Sequence, residues 1–286
     1  LIPYFTYTII NRIWGVPLNY FHNHELSFDL QQIVLGTLLQ IRDSSLYGGV
    51  VWFIGWMFTT YMLSIIISIL FLKDKYRIIV SILCCAIGCL LLHYKMTLPW
   101  HLDAALVAVL FLRIGYEYKI NEDRIEQLLN SCKGIISLLL LYLTSAVCNY
   151  ILSGNYPDMF SGRLGNPFLY IIEAISGSLL IIWLSKKFIG IKGLDKLKFY
   201  MLDIGRNSLT IYGLHRLTLG VFGVLYRIIF PTQTGISQIL RAIVLTFISI
   251  LIIIPVSHML RKYLPVLFGY KKYTPPTIPV NSSKQV

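Results

Sequence analysis

"GVVWFIGWMFTTYMLSIIISILFL" (residues 49–72) runs from Gly49 to Leu72 without a charged side chain. As a helix it would rise about 36 Å, enough to cross the ~30 Å hydrocarbon core of a bilayer. A stretch so apolar reads as a membrane-crossing helix, because inside lipid the backbone must satisfy its own hydrogen bonds.

The pattern repeats outward from that run. Segments 1–18, 77–94, 100–118, 133–151, 167–185, 206–230 and 238–260 each approach the ~20 residues that a span requires. The expected fold is therefore all-α, a polytopic transmembrane helix bundle of about eight spans. The first span is interrupted by Arg12, Gly15 and Pro17. The fourth carries Asp103, Arg113 and Glu117, which points it at other helices rather than at lipid.

Composition agrees, with 56% hydrophobic and 13% charged residues, where a soluble domain carries about 25% charged. One membrane domain is expected over 1–265, followed by a disordered cytoplasmic tail over 266–286. A net charge of +12 in a soluble protein would suggest nucleic acid. Here no aromatic and basic platform stands clear of the apolar segments, so nucleic acid is not an expected partner.

The basic residues instead cluster in alternate loops. Lys73, Lys75 and Arg77 share one loop, and Lys119, Arg124 and Lys133 another. Lys186, Lys187, Lys192, Lys196, Lys198 and Arg206 crowd a third, and Arg261, Lys262, Lys271, Lys272 and Lys284 follow the last span. The intervening loops hold only Arg42, Lys95 and Arg163. By the positive-inside rule the C-terminus is expected in the cytoplasm, in a multi-pass cell-membrane protein. Of the opposite loops, 19–48 includes a segment spaced for an interfacial helix, and 152–166 reads as an ordered, turn-rich loop.

The cysteines, Cys84, Cys85, Cys89, Cys132 and Cys148, lie in or beside apolar runs and form no disulfide framework. The chain opens on Leu1 with no signal-peptide pattern, and is expected to be a fragment with further sequence upstream. It has no internal repeat of the kind that marks inverted-repeat transporters.

Several polar groups carry candidate chemistry. His22, His24 and Glu25 lack the i, i+4 spacing of a helical zinc site and read as a solvated loop. Cys85, Cys89 and His93 share a helical face, where small polarizable cysteines read as packing residues. No metal site is expected. Asp103 either faces a polar interior or lies close enough to the surface to stay hydrated, with His101 beside it. Glu173, among the small residues Ala174, Ser176, Gly177 and Ser178, is expected to point into the bundle. Asn207 and Ser208 suit a helix start, where their side chains can satisfy free N–H groups. Ile204, Ser208, Ile211 and His215 then fall on roughly one face. His215 and Arg216 lie more than two turns into that span; arginine cannot shed its charge, so the pair implies a polar interior, the other reading of His215 being a hydrogen bond that locks its own helix.

Read in order, "LIPYF" (1–5), "VWFIGWMFTTYML" (51–63), "LPWHLDAALVAVLFLRIGY" (98–116), "RLGNPFLYIIEAISGSLLIIWLSKKF" (163–188), "IGRNSLTIYGLHR" (204–216) and "RKYLPVLFGYKK" (261–272) resemble the acyltransferase-3 superfamily of membrane O-acyltransferases. The resemblance is nearest to its fucose 4-O-acetylase-like and polysaccharide O-acetyltransferase branch. It implies about ten helices in the complete fold, of which the N-terminal two would be missing here. It also implies transfer of an acyl group, expected to be acetyl, from acyl-CoA in the cytoplasm to a sugar hydroxyl at or beyond the membrane. The acceptor would be a cell-surface polysaccharide or its lipid-linked precursor.

The resemblance further implies a primary histidine and an arginine motif upstream of Leu1. His215 and Asp103 are then expected in supporting catalytic roles. Asn207, Ser208, Arg216 and Glu173 are expected to contact or shape the substrate site, and Trp52 either stacks on sugar or anchors the interface. Lys196, Lys198 and Arg206 are expected near the phosphates of acetyl-CoA, a co-substrate rather than a bound cofactor. The readings from other classes are a glycan or lipid-linked-sugar flippase and a noncatalytic membrane subunit.

Overall fold

Long apolar runs become long helices. The computed structural model describes residues 2–11, 37–39, 52–229 and 235–268. The helices are α1 (2–11), α2 (Trp52–Leu70), α3 (Asp74–His93), α4 (Leu102–Ile120), α5 (Glu122–Leu129), α6 (Cys132–Ser153), α7 (Pro167–Gly190), α8 (Asp195–Arg206), α9 (Ser208–Ile229) and α10 (Gly235–Tyr263). Among the described residues six helices are long and apolar enough to cross a membrane: α2, α3, α6, α7, and the portions Ser208–Tyr226 of α9 and Ser237–Tyr263 of α10. The protein is an all-α polytopic bundle.

Two of the eight expected spans, 1–18 and 100–118, are not among these six. Of 1–18, only 2–11 is described, and it is helical. The fourth becomes α4, a helix of span length whose Asp103, Arg113, Glu117 and Lys119 suit it poorly to face lipid on all sides. Instead its Ala104, Ala105, Val107, Ala108 and Val109 are buried against protein, chiefly α3 and α2.

Two stretches expected as loops are helical. The basic 186–206 region comprises the end of α7 and all of α8, and the 119–133 loop contains α5. Glu122 and Asp123 stand in the first turn of α5 and Asp195 in that of α8, where a carboxylate meets the positive end of the helix.

The chain divides into two compact units, one of Leu30–Leu46 with Trp52–Ile191, the other of Leu1–Asp29, Tyr47–Val51 and Lys192–Val286. The first holds α2 to α7 and the second holds α1 and α8 to α10.

The α2–α7 unit has two distinct ends. At one, Trp52 meets His101 and Phe160, with ring centroids 5.6 and 5.3 Å apart. At the other, Arg77 and Arg113 both reach Asp74, each at 3.2 Å. Lys186 of α7 there pairs with Glu122 and Glu126 of α5.

Candidate functional site

In the α2–α7 unit the polar residues gather where the turn-rich loop lies. Trp100 and His101 both adopt left-handed backbone, φ 58° and 51°, at a cost of about 1–2 kcal/mol each. Pro99 ahead of them cannot donate a backbone hydrogen bond, and the Thr59 hydroxyl donates to the Trp100 carbonyl at 3.0 Å. This turn seats His101 against Trp52 and starts α4 with Asp103 in its first turn. Asp103 is 1% exposed, so of its two open readings the interior one holds. Trp52 stands among Phe53, Trp56, His101 and Phe160, a half-buried aromatic cluster.

The loop behind this cluster is held by a residue that the sequence alone did not single out. Asn149 of α6 is fully buried. Its Nδ2 donates to the Leu164 carbonyl at 3.2 Å, and its Oδ1 accepts the Asn166 N–H at 2.8 Å. Gly165, between them, has φ +68°, and a Cβ there would lie 2.3 Å from Asn149 Oδ1. Asn166 then caps α7 by accepting the N–H groups of Phe168 and Leu169. Glu173, half-buried on α7, faces Asn149 at 3.5 Å, on the inner side as its small neighbours suggest. The only sign of Asn149 in the sequence was an amide inside an apolar run.

Cys85 is buried in the apolar core with Leu92, Val107 and Leu164, and Cys89 packs beside it. His93 is exposed at the end of α3. Among the described residues no group of three or more His, Cys, Asp or Glu stands close enough to hold a metal. The His22, His24 and Glu25 cluster, the amphipathic part of 19–48 before residue 37, and the tail beyond 268 lie outside the described residues.

The other unit contains a buried polar seam along α9. Tyr7 and Thr210 are fully buried, and the tyrosine hydroxyl donates to Thr210 Oγ1 at 3.1 Å. Asn11 Nδ2 donates to the Gly213 carbonyl at 2.8 Å. A Cβ on Gly213 would lie 2.3 Å from the Tyr7 ring, so glycine lets α1 lie directly on α9. Two residues on, His215 Nδ1 lies 2.7 Å from the Tyr212 carbonyl. A carbonyl only accepts, so Nδ1 is the donor in this contact. The Thr218 hydroxyl donates to Ser249 Oγ of α10 at 2.8 Å. His215 and Arg216 are half-buried along this seam.

The start of α9 departs from expectation. Asn207, fully buried, turns its side chain backward, Nδ2 donating to the carbonyl and to the carboxylate of Asp203 at 2.8 and 3.0 Å. The chain breaks here, so Ile204 belongs to α8 and only Ser208, Ile211 and His215 share one helix. The amide nitrogen finds two acceptors on Asp203, while Oδ1, the atom that would cap the helix, is buried with no hydrogen-bond partner. Ser208 is exposed. His258 of α10 reaches the same carboxylate, Nε2 to Oδ1 at 3.0 Å. Nothing in the sequence joins Asp203 to a histidine so far along the chain.

Of the basic residues, Lys196 and Arg206 are exposed, and Lys198 pairs with Asp195 at 3.6 Å. Arg261 donates to the Arg206 carbonyl at 2.6 Å. The candidate residues thus fall into two sets: Trp52, Asp103 and Glu173 in the α2–α7 unit; Lys196, Lys198, Arg206, Asn207, Ser208, His215 and Arg216 in the other.

The described helices form a multi-pass membrane bundle. The family model described as an acyltransferase domain matches residues 1–258; the chain belongs to this family, the acyltransferase-3 superfamily, and is a membrane acyltransferase. No curated protein and no solved structure matches it.

Proposed function

We propose that the protein transfers an acetyl group from acetyl-CoA to a hydroxyl of a sugar in a cell-surface polysaccharide or its lipid-linked precursor, in the cytoplasmic membrane with its C-terminus inside. In this reaction the thioester C–S bond breaks and an ester C–O bond forms. The hydroxyl proton passes through a base to the departing CoA sulfur.

The observation that carries the reading is His215. Its Nδ1 donates to the Tyr212 carbonyl, which makes Nε2 the acceptor whenever the ring is neutral, beside the polar seam of α9. An acceptor so placed can orient a hydroxyl or take part in moving its proton. Arg216, the next residue, brings permanent positive charge to the same segment, suited to an oxyanion or to CoA phosphate. Lys196 and Arg206 are exposed and available to polyanionic CoA. His215 is assigned a positioning role toward the acceptor hydroxyl, and Asp103 a supporting role.

The test uses the full-length protein in proteoliposomes with labelled acetyl-CoA and a glycan acceptor. His215→Ala and His215→Asn are both expected to lower transfer by roughly 10²-fold, while asparagine preserves a donor toward the Tyr212 carbonyl. Unchanged transfer in His215→Asn would reduce the histidine to a helix-locking bond. Movement of unacetylated glycan across the bilayer without label transfer would replace the acetyltransferase reading with the flippase.

A further inference from the structure

The site described so far leaves a hollow unexplained. A cavity of about 500 Å³ opens at the loop end of the α2–α7 unit, between the end of α3, the turn after it and the 153–167 segment. That volume lies inside the range of small-molecule sites, roughly 300–1,000 Å³.

Its lining is one-sided in charge. His93, Lys95 and Arg163 line it, and no described Asp or Glu does. Lys95 makes no ion pair among the described residues. Arg163 has one acid near it, Asp158, whose Oδ2 lies 3.8 Å from Nη2, while the Arg163 Nε donates to Ser161 Oγ at 2.8 Å. The Arg163 side chain remains 61% exposed. Cations without close counterions on a concave, low-dielectric wall draw anions into it.

The remaining lining suits a sugar. Asn155 supplies an amide, and Ser161 Oγ accepts from Arg163 Nε and so steadies that side chain at the cavity. Tyr156, exposed at the rim, stacks on Tyr150 with centroids 4.8 Å apart and planes 29° apart. Such a pair offers a flat apolar face with polar tips, matching the C–H face of a pyranose and its hydroxyls.

We infer that this cavity binds an anionic sugar, one that carries a carboxylate or a phosphate, and that Lys95 and Arg163 select for that charge. The inference rests on the reading of the acceptor as a glycan and names its chemical class. Asn149 and Gly165 hold the loop that forms one wall of the cavity.

The experiment measures direct binding, without acyl donor, to the full-length protein in nanodiscs of zwitterionic lipid. The probes are a neutral oligosaccharide, the same chain with one uronic acid, and the same chain with one sugar phosphate; a parallel set of nanodiscs contains anionic lipid. The acidic probes are expected to bind at least about tenfold tighter than the neutral one. Arg163→Gln and Lys95→Asn, the latter tolerant of the left-handed backbone at φ 54°, are each expected to remove most of that preference. Lys119→Gln, which makes the same charge change at the opposite end, is expected to leave it intact.

Equal binding of acidic and neutral probes, no binding of the acidic probes, or capture of anionic lipid without any preference among the saccharides would each overturn the inference. Acetyl transfer to glycan without acidic preference would overturn it while sparing the proposed reaction. Acidic preference without transfer would sustain it and count against the reaction.

Discussion

The two ends of the α2–α7 unit carry similar basic residues in opposite states. At the α5 end three cations between helices have acids: Arg77 and Arg113 share Asp74, Arg113 also meets Glu117, and Lys186 bridges Glu122 and Glu126. At the loop end Lys95 has no such partner among the described residues, Arg163 has a loose one, and a cavity lies between them. Matched charges there are spent on joining helices, whereas the cations at the loop end keep their field for a ligand. Charge alone therefore does not mark a binding site; the difference lies in whether the fold supplies the counterion.

The comparison breaks most readily at Asn149. Asn149→Ala is expected to leave the Leu164 carbonyl and the Asn166 N–H without their buried partner, at about 2–4 kcal/mol for the two groups. The loss should appear as a lowered apparent Tm together with loss of saccharide binding. Normal stability with normal binding would show that the loop does not depend on this side chain.

Gly165→Ala should cost less, about 1–2 kcal/mol from the left-handed backbone, plus displacement of the Asn149 amide by the new methyl. Its effect should concentrate in binding affinity rather than in Tm. Equal loss in both would mean that the loop and the bundle melt together.

The smallest effect belongs to the paired end. Hydrogen bonds from Lys119 and then Lys186 hold the Glu122 carboxyl down to about 2 from its ordinary 4.5. A carboxylate whose folded value is depressed stabilises the fold fully above its unfolded value and loses that contribution as pH falls. The small Tm gap between the natural protein and Glu122→Gln should thus hold at neutral pH, narrow below about pH 4.5 and close near pH 2. A gap that stayed constant down to pH 2 would show that the ion pairs do not contribute to that helix junction. Saccharide preference at the loop end should be unaffected in this variant.

Much of the fold could be read from the chain, and less of the site. The runs 49–72, 133–151 and 238–260 became spans because lipid imposes one solution on a long uncharged segment. The 100–118 run was read correctly as turned toward protein, since its charged residues needed partners, and Arg113 found them in Asp74 and Glu117. The cap at Asn207 went the other way: the residue type suits a forward cap, yet its amide nitrogen turns to Asp203 and its oxygen takes no N–H. Asn149 and the Asp203–His258 pair gave no local signal, because their partners lie 15 to 55 residues away.

By itself, the sequence determined that this is a membrane bundle, which follows from hydrophobic length and loop charge, both local properties. Its ordered motifs also carried the resemblance to membrane acyltransferases. The tertiary structure decided which polar groups are spent on one another and which remain for a ligand. His215 spends Nδ1 on a carbonyl one turn back, while Lys95 and Arg163 came together at a hollow only when α3 and the loop after α6 packed side by side. Pairing of charges across helices is a matter of three-dimensional proximity, and spacing along the chain does not encode it.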